Sequence, residues 1–432
     1  MTDALTKPLV LPGGAKLKNR IAKAAMTEGL ADEYNRATER HVRIYRRWAE
    51  GGAGMLLTGN VMVDRRYLER PGNVAIDGPQ TDDALGALRR WSGAAREAGA
   101  DIWMQLSHAG RQTPKIVSRE PVAPSAVALG IPGGTFACPR ALTGAEIGEV
   151  IERFAHAASV AKRTGFNGVQ IHAAHGYLIS EFLNPLANRR DDEWGGDLEN
   201  RARLLMRVLK EVRGQVGSGY PVSVKLNSSD FQKGGFGPEE CLQVARWLND
   251  AGVDLLEISG GSYEQPAMMD IDGLEARYEE TKRASTRARE AYFLTYAEEI
   301  RSVAKMPLMV TGGFRTRAGM EAAIASGACD VVGLARPLCL DPDAPKKLMT
   351  GEVGALPSWE KTLRIGPGVL GPNSDVALVK ALNGFAVTAF FYENIYRLAD
   401  GRATIEKMAL LPAFIKMQMR EAQMAKALAP SP

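Results

Sequence analysis

The chain of 432 residues is poor in cysteine. It has four cysteines, Cys138, Cys241, Cys329 and Cys339, and no two of them form a CxxC pair. Structural zinc sites, iron–sulfur clusters and disulfide frameworks need closely spaced cysteines, so we expect none of these. The four thiols are expected to be reduced and structural.

Long apolar runs and a strong net charge are also missing. No stretch approaches the ~20 apolar residues that span a bilayer, and the first residues lack the apolar core of a signal peptide. The formal net charge is only +4 at pH 7, which leaves no basic face for nucleic acid. The composition predicts a cytoplasmic globular protein, with neither membrane nor nucleic acid as partner.

Eight short apolar or β-branched runs recur along the chain, each followed by a loop and a segment of helical period. They lie at 20–26, 54–61, 101–107, 168–174, 221–227, 254–260, 307–313 and 330–336. Eight strand–helix alternations within ~320 residues predict an α/β fold, a (β/α)8 TIM barrel. An open doubly wound sheet fits less well, because no GxGxxG follows the first strand.

The pattern changes after residue 350. We expect residues 1–350 to form the barrel domain and 351–432 to form a linker with a C-terminal helical extension. Two amphipathic helices are predicted at roughly 376–399 and 403–427. They either make the subunit contact of a homo-oligomer or fold back on their own barrel.

Two long loops interrupt the alternation of strands and helices. The loop 108–140 is rich in Pro and Gly, and the loop 262–288 is polar and charged. Barrel active sites are built from the loops after the strands, so these loops are candidates for a lid and a pocket wall. Surface elaboration is the alternative.

The fourth predicted strand ends in the stretch IHAAHGYLISEFLNP, which contains His172, His175 and Tyr177. If the strand continued through both histidines, their side chains would point to opposite faces. If the strand ends near Ala173 or Ala174, both imidazoles lie on one side of the barrel mouth, with the Tyr177 hydroxyl nearby.

Three functions fit this pattern. The two imidazoles could bind a metal with Glu257 or Asp230, as in a metal-dependent hydrolase or lyase on a TIM barrel, although neither carboxylate forms a recognised motif with them. They could be satisfied structural residues, which is the usual role of a lone histidine. They could donate hydrogen bonds to an oxygen that becomes negative while Tyr177 supplies a proton. Only the third interpretation uses all three side chains.

Glycines and an arginine follow the last two predicted strands. Gly312 and Gly313 allow backbone N–H groups to approach an anion, and Arg336 offers a forked, charged contact. Barrels often bind a phosphate with these two loops, although a Gly-Gly pair is also typical of a simple turn. A phosphate here leaves room for a phosphorylated planar cofactor over the barrel axis.

Four segments together resemble the Old Yellow Enzyme family of FMN-dependent NAD(P)H:flavin oxidoreductases and ene-reductases. They are QLSHAGRQ (105–112), IHAAHGYLISEFLNPLANRRDDEWGGDLENRARL (171–204), VTGGFRT (310–316) and GLARPLCLDPD (333–343). The resemblance extends from about Leu9 to Leu348. It implies tightly bound, non-covalent FMN, NAD(P)H as a transient reductant, and reduction of the C=C bond of α,β-unsaturated carbonyl compounds.

The resemblance also implies which residues bind the cofactor. They are Ala25, Met26, Thr27, Gly59, Gln105, Lys225, Gly312, Gly313, Ala335 and Arg336. Thr27 would bond a flavin carbonyl, Gln105 the pyrimidine edge, and Lys225 would face the N1/O2 region. The last four residues would hold the phosphate.

For the substrate, the resemblance implies that His172 and His175 bind the carbonyl oxygen and that Tyr177 donates the proton. This chain departs from the family pattern at several positions. Ala335 replaces a common glycine, and WGGD (194–197) replaces YGGS, where Asp197 can cap the next helix as serine does. Gly29 stands where some members carry an aromatic residue that lines the pocket. This predicts either a roomier pocket or another loop that lines the pocket instead.

Overall fold

The computed structural model describes residues 3–131, 133–264, 291–372 and 374–428. Eight parallel strands neighbour one another in chain order, and the last pairs with the first to close a barrel. They are β1 (Ile21–Lys23), β2 (Met55–Met62), β3 (Asp101–Ser107), β4 (Gly168–Ala173), β5 (Val222–Asn227), β6 (Leu255–Ser259), β7 (Leu308–Thr311) and β8 (Val331–Leu334). Each strand overlaps its predicted run, so the predicted (β/α)8 TIM barrel is confirmed.

Helices surround the barrel and continue into the extension. They are α1 (Glu39–Glu50), α2 (Asp82–Glu97), α3 (Gly144–Arg163), α4 (Leu178–Leu183), α5 (Leu198–Val216), α6 (Pro238–Asp250), α7 (Leu294–Arg301), α8 (Arg317–Ala325), α9 (Pro337–Leu340), α10 (Ala344–Thr350), α11 (Ala377–Ala399) and α12 (Leu410–Ala427). Asp197 caps α5, because its side chain accepts a hydrogen bond from the backbone N–H of Asn200 at 2.9 Å. The aspartate of WGGD thus satisfies a free N–H of the first turn, as the sequence predicts.

The amino end of the barrel is closed by the start of the chain. Two short strands, Leu9–Val10 and Lys16–Leu17, pair antiparallel. The backbone N–H of Gly13 between them donates to Asp254, directly before β6, at 2.8 Å. The leucines of this hairpin pack in one buried cluster with Trp103 of β3. This leaves the carboxyl end of the strands for chemistry, as in other barrels.

The C-terminal extension folds back on its own barrel. Helix α11 packs against α1 and α9, and α12 packs against α11. The second helix begins at Leu410, whereas the sequence predicts a start at 403. Proline is tolerated only in the first turn of a helix, so Pro412 fixes this start. The division into domains at residue 350 stays a prediction.

The two predicted long loops are described to different extents. Within 108–140, Val122–Ala123 pairs with Arg140–Ala141 in a small two-stranded sheet. Most of the predicted loop 262–288 lies outside the described residues. Among the helices in the described ranges, none combines the length and apolar character needed to cross a membrane.

Candidate active site

The two histidines of the fourth strand lie side by side at the carboxyl end of the barrel. Strand β4 ends at Ala173, and His175 adopts a left-handed backbone conformation with φ of 63°. The ring centroids of His172 and His175 are 5.1 Å apart. The ring of Tyr177 lies 4.8 Å from that of His172. The chain therefore turns immediately after the strand and gathers three polar rings.

Three hydrogen bonds hold His175 in this uncommon conformation. Its backbone N–H donates to Oδ1 of Asn227 at 3.1 Å, and its carbonyl accepts from Nε2 of Gln112 at 3.0 Å. Its ring Nε2 lies 2.6 Å from Oγ of Ser259 at the end of β6. If the serine hydroxyl donates to Nε2, the ring proton stays on Nδ1. Ser259 is then the residue that sets the histidine tautomer.

Both imidazoles are neutral and the nearby phenol keeps its proton. Burial lowers the pKa of His172 and of His175 well below the usual range, and the charge of Lys225 lowers both further. Burial raises the pKa of Tyr177 well above its usual range, and the Glu69 carboxylate adds to the rise. The site thus offers neutral N–H and O–H donors.

A second polar network crosses the inside of the barrel mouth. Nζ of Lys225 on β5 lies 3.0 Å from Oε1 of Glu257 on β6, and Thr311 of β7 donates to the same oxygen at 2.7 Å. Gln170 of β4 donates to Oε2 of Glu257 at 2.9 Å and accepts from Gln105 of β3 at 2.7 Å. Neighbouring strands thus fix Lys225 and Gln105 in one layer.

This network also bears on the metal interpretation of the histidine pair. Glu257 is paired with Lys225, and Oδ1 of Asp230 accepts from Asn227 at 2.7 Å. In the part of the chain that the structure describes, no three His, Cys, Asp or Glu side chains are grouped as metal ligands. The two predicted third ligands therefore have other partners.

The segment after β1 crosses closely over Gly59 of β2. A Cβ atom on Gly59 would lie 2.5 Å from the carbonyl oxygen of Met26 and 2.8 Å from Cα of Thr27. The N–H of Gly59 donates to Oε1 of Glu28 at 3.0 Å. Only glycine permits this approach, which places Ala25, Met26 and Thr27 at the rim of the mouth.

The Thr27 hydroxyl points to an acidic residue of the loop after β2. Oγ1 of Thr27 donates to Oε2 of Glu69 at 2.7 Å. Oε1 of Glu69 accepts from the hydroxyl of Tyr263 at 3.3 Å, and that hydroxyl lies 3.0 Å from the hydroxyl of Tyr177. Hydrogen bonds therefore connect the rim at Thr27 with the phenol beside the histidine pair.

The loops after β7 and β8 have the chemistry of a phosphate site. Gly312 and Gly313 have φ of 112° and 86°, a region that favours glycine. Nη1 of Arg336, which follows Ala335 at the end of β8, is buried without a hydrogen-bond partner among the described residues. Nη2 of the same guanidinium lies 3.8 Å from the buried carboxylate of Glu360. Buried donors are nearly always satisfied, so Nη1 is the donor that remains for an anionic oxygen. The residues present thus fit the phosphate of FMN.

Several residues of the site carry no motif that identifies them in the sequence. They are Glu69, Gln170, Ser259 and Tyr263. Glu257 does carry a signal, because a carboxylate inside an apolar strand run needs a buried partner. The sequence suggested it only as a metal ligand, whereas it neutralises Lys225.

Comparison with known proteins agrees with this geometry. The model of the NADH:flavin oxidoreductase / NADH oxidase family matches residues 4–353. An NADH-dependent flavin oxidoreductase from Hypocrea jecorina is 40% identical over 362 residues, which cover 79% of this chain and 88% of the relative. Another from Neonectria sp. (strain DH2) is 37% identical over 395 residues, 88% of this chain but only half of the relative.

Solved structures give the same result. An old yellow enzyme homologue from Zymomonas mobilis is 30% identical with a TM-score of 0.68, covering 82% of this chain and 94% of that one. A 2-naphthoyl-CoA reductase complex is 29% identical with a TM-score of 0.73, covering 82% of this chain and 54% of that one. The chain belongs to the NADH:flavin oxidoreductase / NADH oxidase family, that of Old Yellow Enzyme, with FMN as cofactor and a nicotinamide as reductant.

Proposed function

We propose that this protein reduces the C=C bond of α,β-unsaturated carbonyl compounds with hydride from NAD(P)H. When bound, FMN supplies the hydride transfer. The observation that carries the proposal is the pair of buried imidazoles, with ring centroids 5.1 Å apart, beside the ring of Tyr177. The names of the fungal relatives favour NADH as the reductant.

Two groups of residues at the barrel mouth would bind the cofactor, one at its ring and one at its phosphate. Gln105 and Lys225 would hold the ring, and Thr27 would bond a flavin carbonyl once its hydroxyl turns away from Glu69. The close crossing over Gly59 leaves the ring a flat rim. Gly312, Gly313, Ala335 and Arg336 would hold the phosphate. The unsatisfied Nη1 of Arg336 supports the second group, and the ordered Gln105 and Lys225 side chains support the first.

His172 and His175 would each donate an N–H to the carbonyl oxygen of the substrate. This polarises the alkene, so that its β-carbon accepts hydride while the oxygen gains negative charge. Neutral donors held in place before the reaction stabilise that charge, by roughly 3 kcal/mol for each donor. Ser259 and Asn227 hold His175 in position.

Tyr177 would then complete the reduction by giving its proton to the α-carbon. Its raised pKa keeps the proton on the phenol until the enolate has formed. An enolate carbon is a stronger base than a phenolate, so the transfer is favourable. Solvent returns the proton to Tyr177 after the product leaves.

Rapid-mixing kinetics of the two histidine variants test this function. His172→Ala and His175→Ala should retain FMN, bind phenols more weakly and be reoxidised by 2-cyclohexenone about 100-fold more slowly. His156→Ala is the matched control, because His156 lies on α3 and its ring bonds the carbonyl of Gly78, away from the histidine pair. Unchanged reoxidation in both site variants would contradict the proposal.

A further inference from the structure

The C-terminal extension is attached to the barrel beside the candidate site. Arg70, in the loop after β2, forms an ion pair with Glu421 of α12. Its guanidinium carbon also lies 3.9 Å from the ring centroid of Tyr392 on α11. Arg70 is only 7% exposed, so both helices contact the barrel through one buried cation.

This attachment lies one residue away from the site. Glu69, which precedes Arg70, accepts hydrogen bonds from Thr27 and Tyr263. Burial and the Glu69 carboxylate raise the pKa of Tyr177, and the phenol of Tyr392 adds to the rise. The polar network of the site and the attachment of the extension therefore meet at two neighbouring residues, Glu69 and Arg70.

The extension also takes the place of a side chain that this chain lacks. A Cβ atom on Gly29 would lie 3.2 Å from the hydroxyl of Tyr396 on α11. The sequence predicts a roomier pocket, or another loop, where some family members carry an aromatic residue at this position. The structure places an aromatic residue of the extension there instead.

The end of α12 reaches the same region. Leu428 packs against a buried cluster that includes Met62, Leu68 and Tyr177, and Tyr263 packs against that cluster as well. The family model ends at residue 353. The side chains that Leu428 approaches therefore belong to the family barrel, whereas Leu428 itself does not.

We infer that the C-terminal extension forms a wall of the substrate pocket, with Leu428 as a specificity-determining residue. The Arg70–Glu421 ion pair fixes the position of this wall. A wall of phenol rings and one leucine favours flat, apolar substituents on the enone and excludes bulky ones. The inference rests on the proposed function.

Substrate competition tests the wall. For Leu428→Ala, kcat/KM with the bulky 3-phenyl-2-cyclohexenone should rise about 10-fold relative to 2-cyclohexenone, and for Leu428→Trp it should fall by a similar factor. Met419→Ala is the control, because Met419 lies on α12, which ends directly before Leu428, and is 58% exposed. If neither enone reoxidises the unaltered enzyme, the proposed function fails. If both do but the Leu428 variants keep its selectivity, only the wall is refuted.

Thiol labelling tests the same wall without turnover. Cys138 is the exposed cysteine of the chain and the other three are buried. The Cys138→Ser variant should therefore react only slowly with a maleimide. In that background, a saturating phenol should slow maleimide labelling of Leu428→Cys about 10-fold and leave that of Met419→Cys unchanged. Equal labelling of Leu428→Cys with and without phenol would overturn the inference.

The labelling rate of Leu428→Cys also tests the role of the Arg70–Glu421 ion pair. Glu421→Gln removes the charge that faces Arg70 and should speed labelling of Leu428→Cys several-fold in the absence of phenol. Lys426→Gln on the same helix is the matched control. A labelling rate that Glu421→Gln does not change shows that the ion pair does not hold the wall.

Discussion

The ammonium group of Lys225 lies 3.0 Å from the carboxylate of Glu257, inside the barrel mouth. Residues 225 and 257 are register partners on β5 and β6. Their side chains are 5% and 0% exposed. A buried ion pair gives little net stability, but a lone buried charge is costly. The pair therefore keeps a cation at the mouth at a tolerable cost in stability.

Removing one partner of this pair should destabilise the folded protein more than removing both charges does. We expect Lys225→Met to lower the free energy of unfolding by about 3 kcal/mol, because Glu257 is left buried without its cation. The double variant Lys225→Met/Glu257→Gln should recover part of that loss. Urea denaturation at fixed FMN concentration compares the two variants, and equal stabilities would contradict the pairing argument.

The hydroxyl of Ser259 should matter for ligand binding at His175. Ser259→Ala removes the bond to Nε2, so the ring loses its fixed tautomer, and phenol affinity should fall about fivefold. Ser259→Thr keeps a hydroxyl and should retain most of the affinity. Titration of the flavin absorption with a phenol measures both, and equal affinities in the two variants would refute the role of the hydroxyl.

The oxidative half-reaction should be insensitive to pH over the neutral range. Burial lowers the pKa of His172 and His175 and raises that of Tyr177, so none of them changes charge between about pH 6 and pH 9. Stopped-flow reoxidation by an enone should give a flat profile. A titration near the ordinary histidine pKa would show that an imidazole of the site takes up a proton in the neutral range, which would contradict this assignment.

Glu181 of α4 should make the protein less stable as the pH rises. Burial raises its pKa to about 8, so the folded protein keeps a proton that the unfolded chain loses near its ordinary pKa of about 4.3. Stability contributed by this group therefore falls from about pH 4.3 to about pH 8 and then levels.

Glutamine cannot ionise, so the advantage of Glu181→Gln over the unaltered protein should grow across that window, by about 1 kcal/mol per pH unit. Melting temperatures at several pH values measure the difference. Glu152→Gln, at an exposed position on α3, is the control. A difference in melting temperature that does not depend on pH would contradict the burial of a protonated Glu181.

Arg336 should decide how tightly the cofactor phosphate is held. Arg336→Met removes the unsatisfied guanidinium donor, and FMN affinity should fall roughly 10-fold or more. Arg317→Met is the control, because the Arg317 guanidinium binds Glu321 within α8. Fluorescence of released FMN gives the dissociation constants. An unchanged value for Arg336→Met would remove this residue from the phosphate site.

The barrel could be predicted from the sequence, whereas most contacts of the site could not. Strands buried on both faces are continuous apolar runs, and eight such runs leave few alternatives. The bonds of Ser259 to His175 and of Glu69 to Tyr263 join residues 84 and 194 positions apart. A single polar residue in a loop carries no sign of so distant a partner.

The Arg70–Glu421 ion pair has a consequence for biosynthesis, since its partners are separated by 351 positions. All eight strands precede residue 335, so the nascent polypeptide can close its barrel on the ribosome well before α12 has been translated. Until then Arg70 lacks its anion. The barrel must therefore tolerate an unpaired Arg70 until α12 docks, and the wall that we infer beside the substrate is assembled after the barrel.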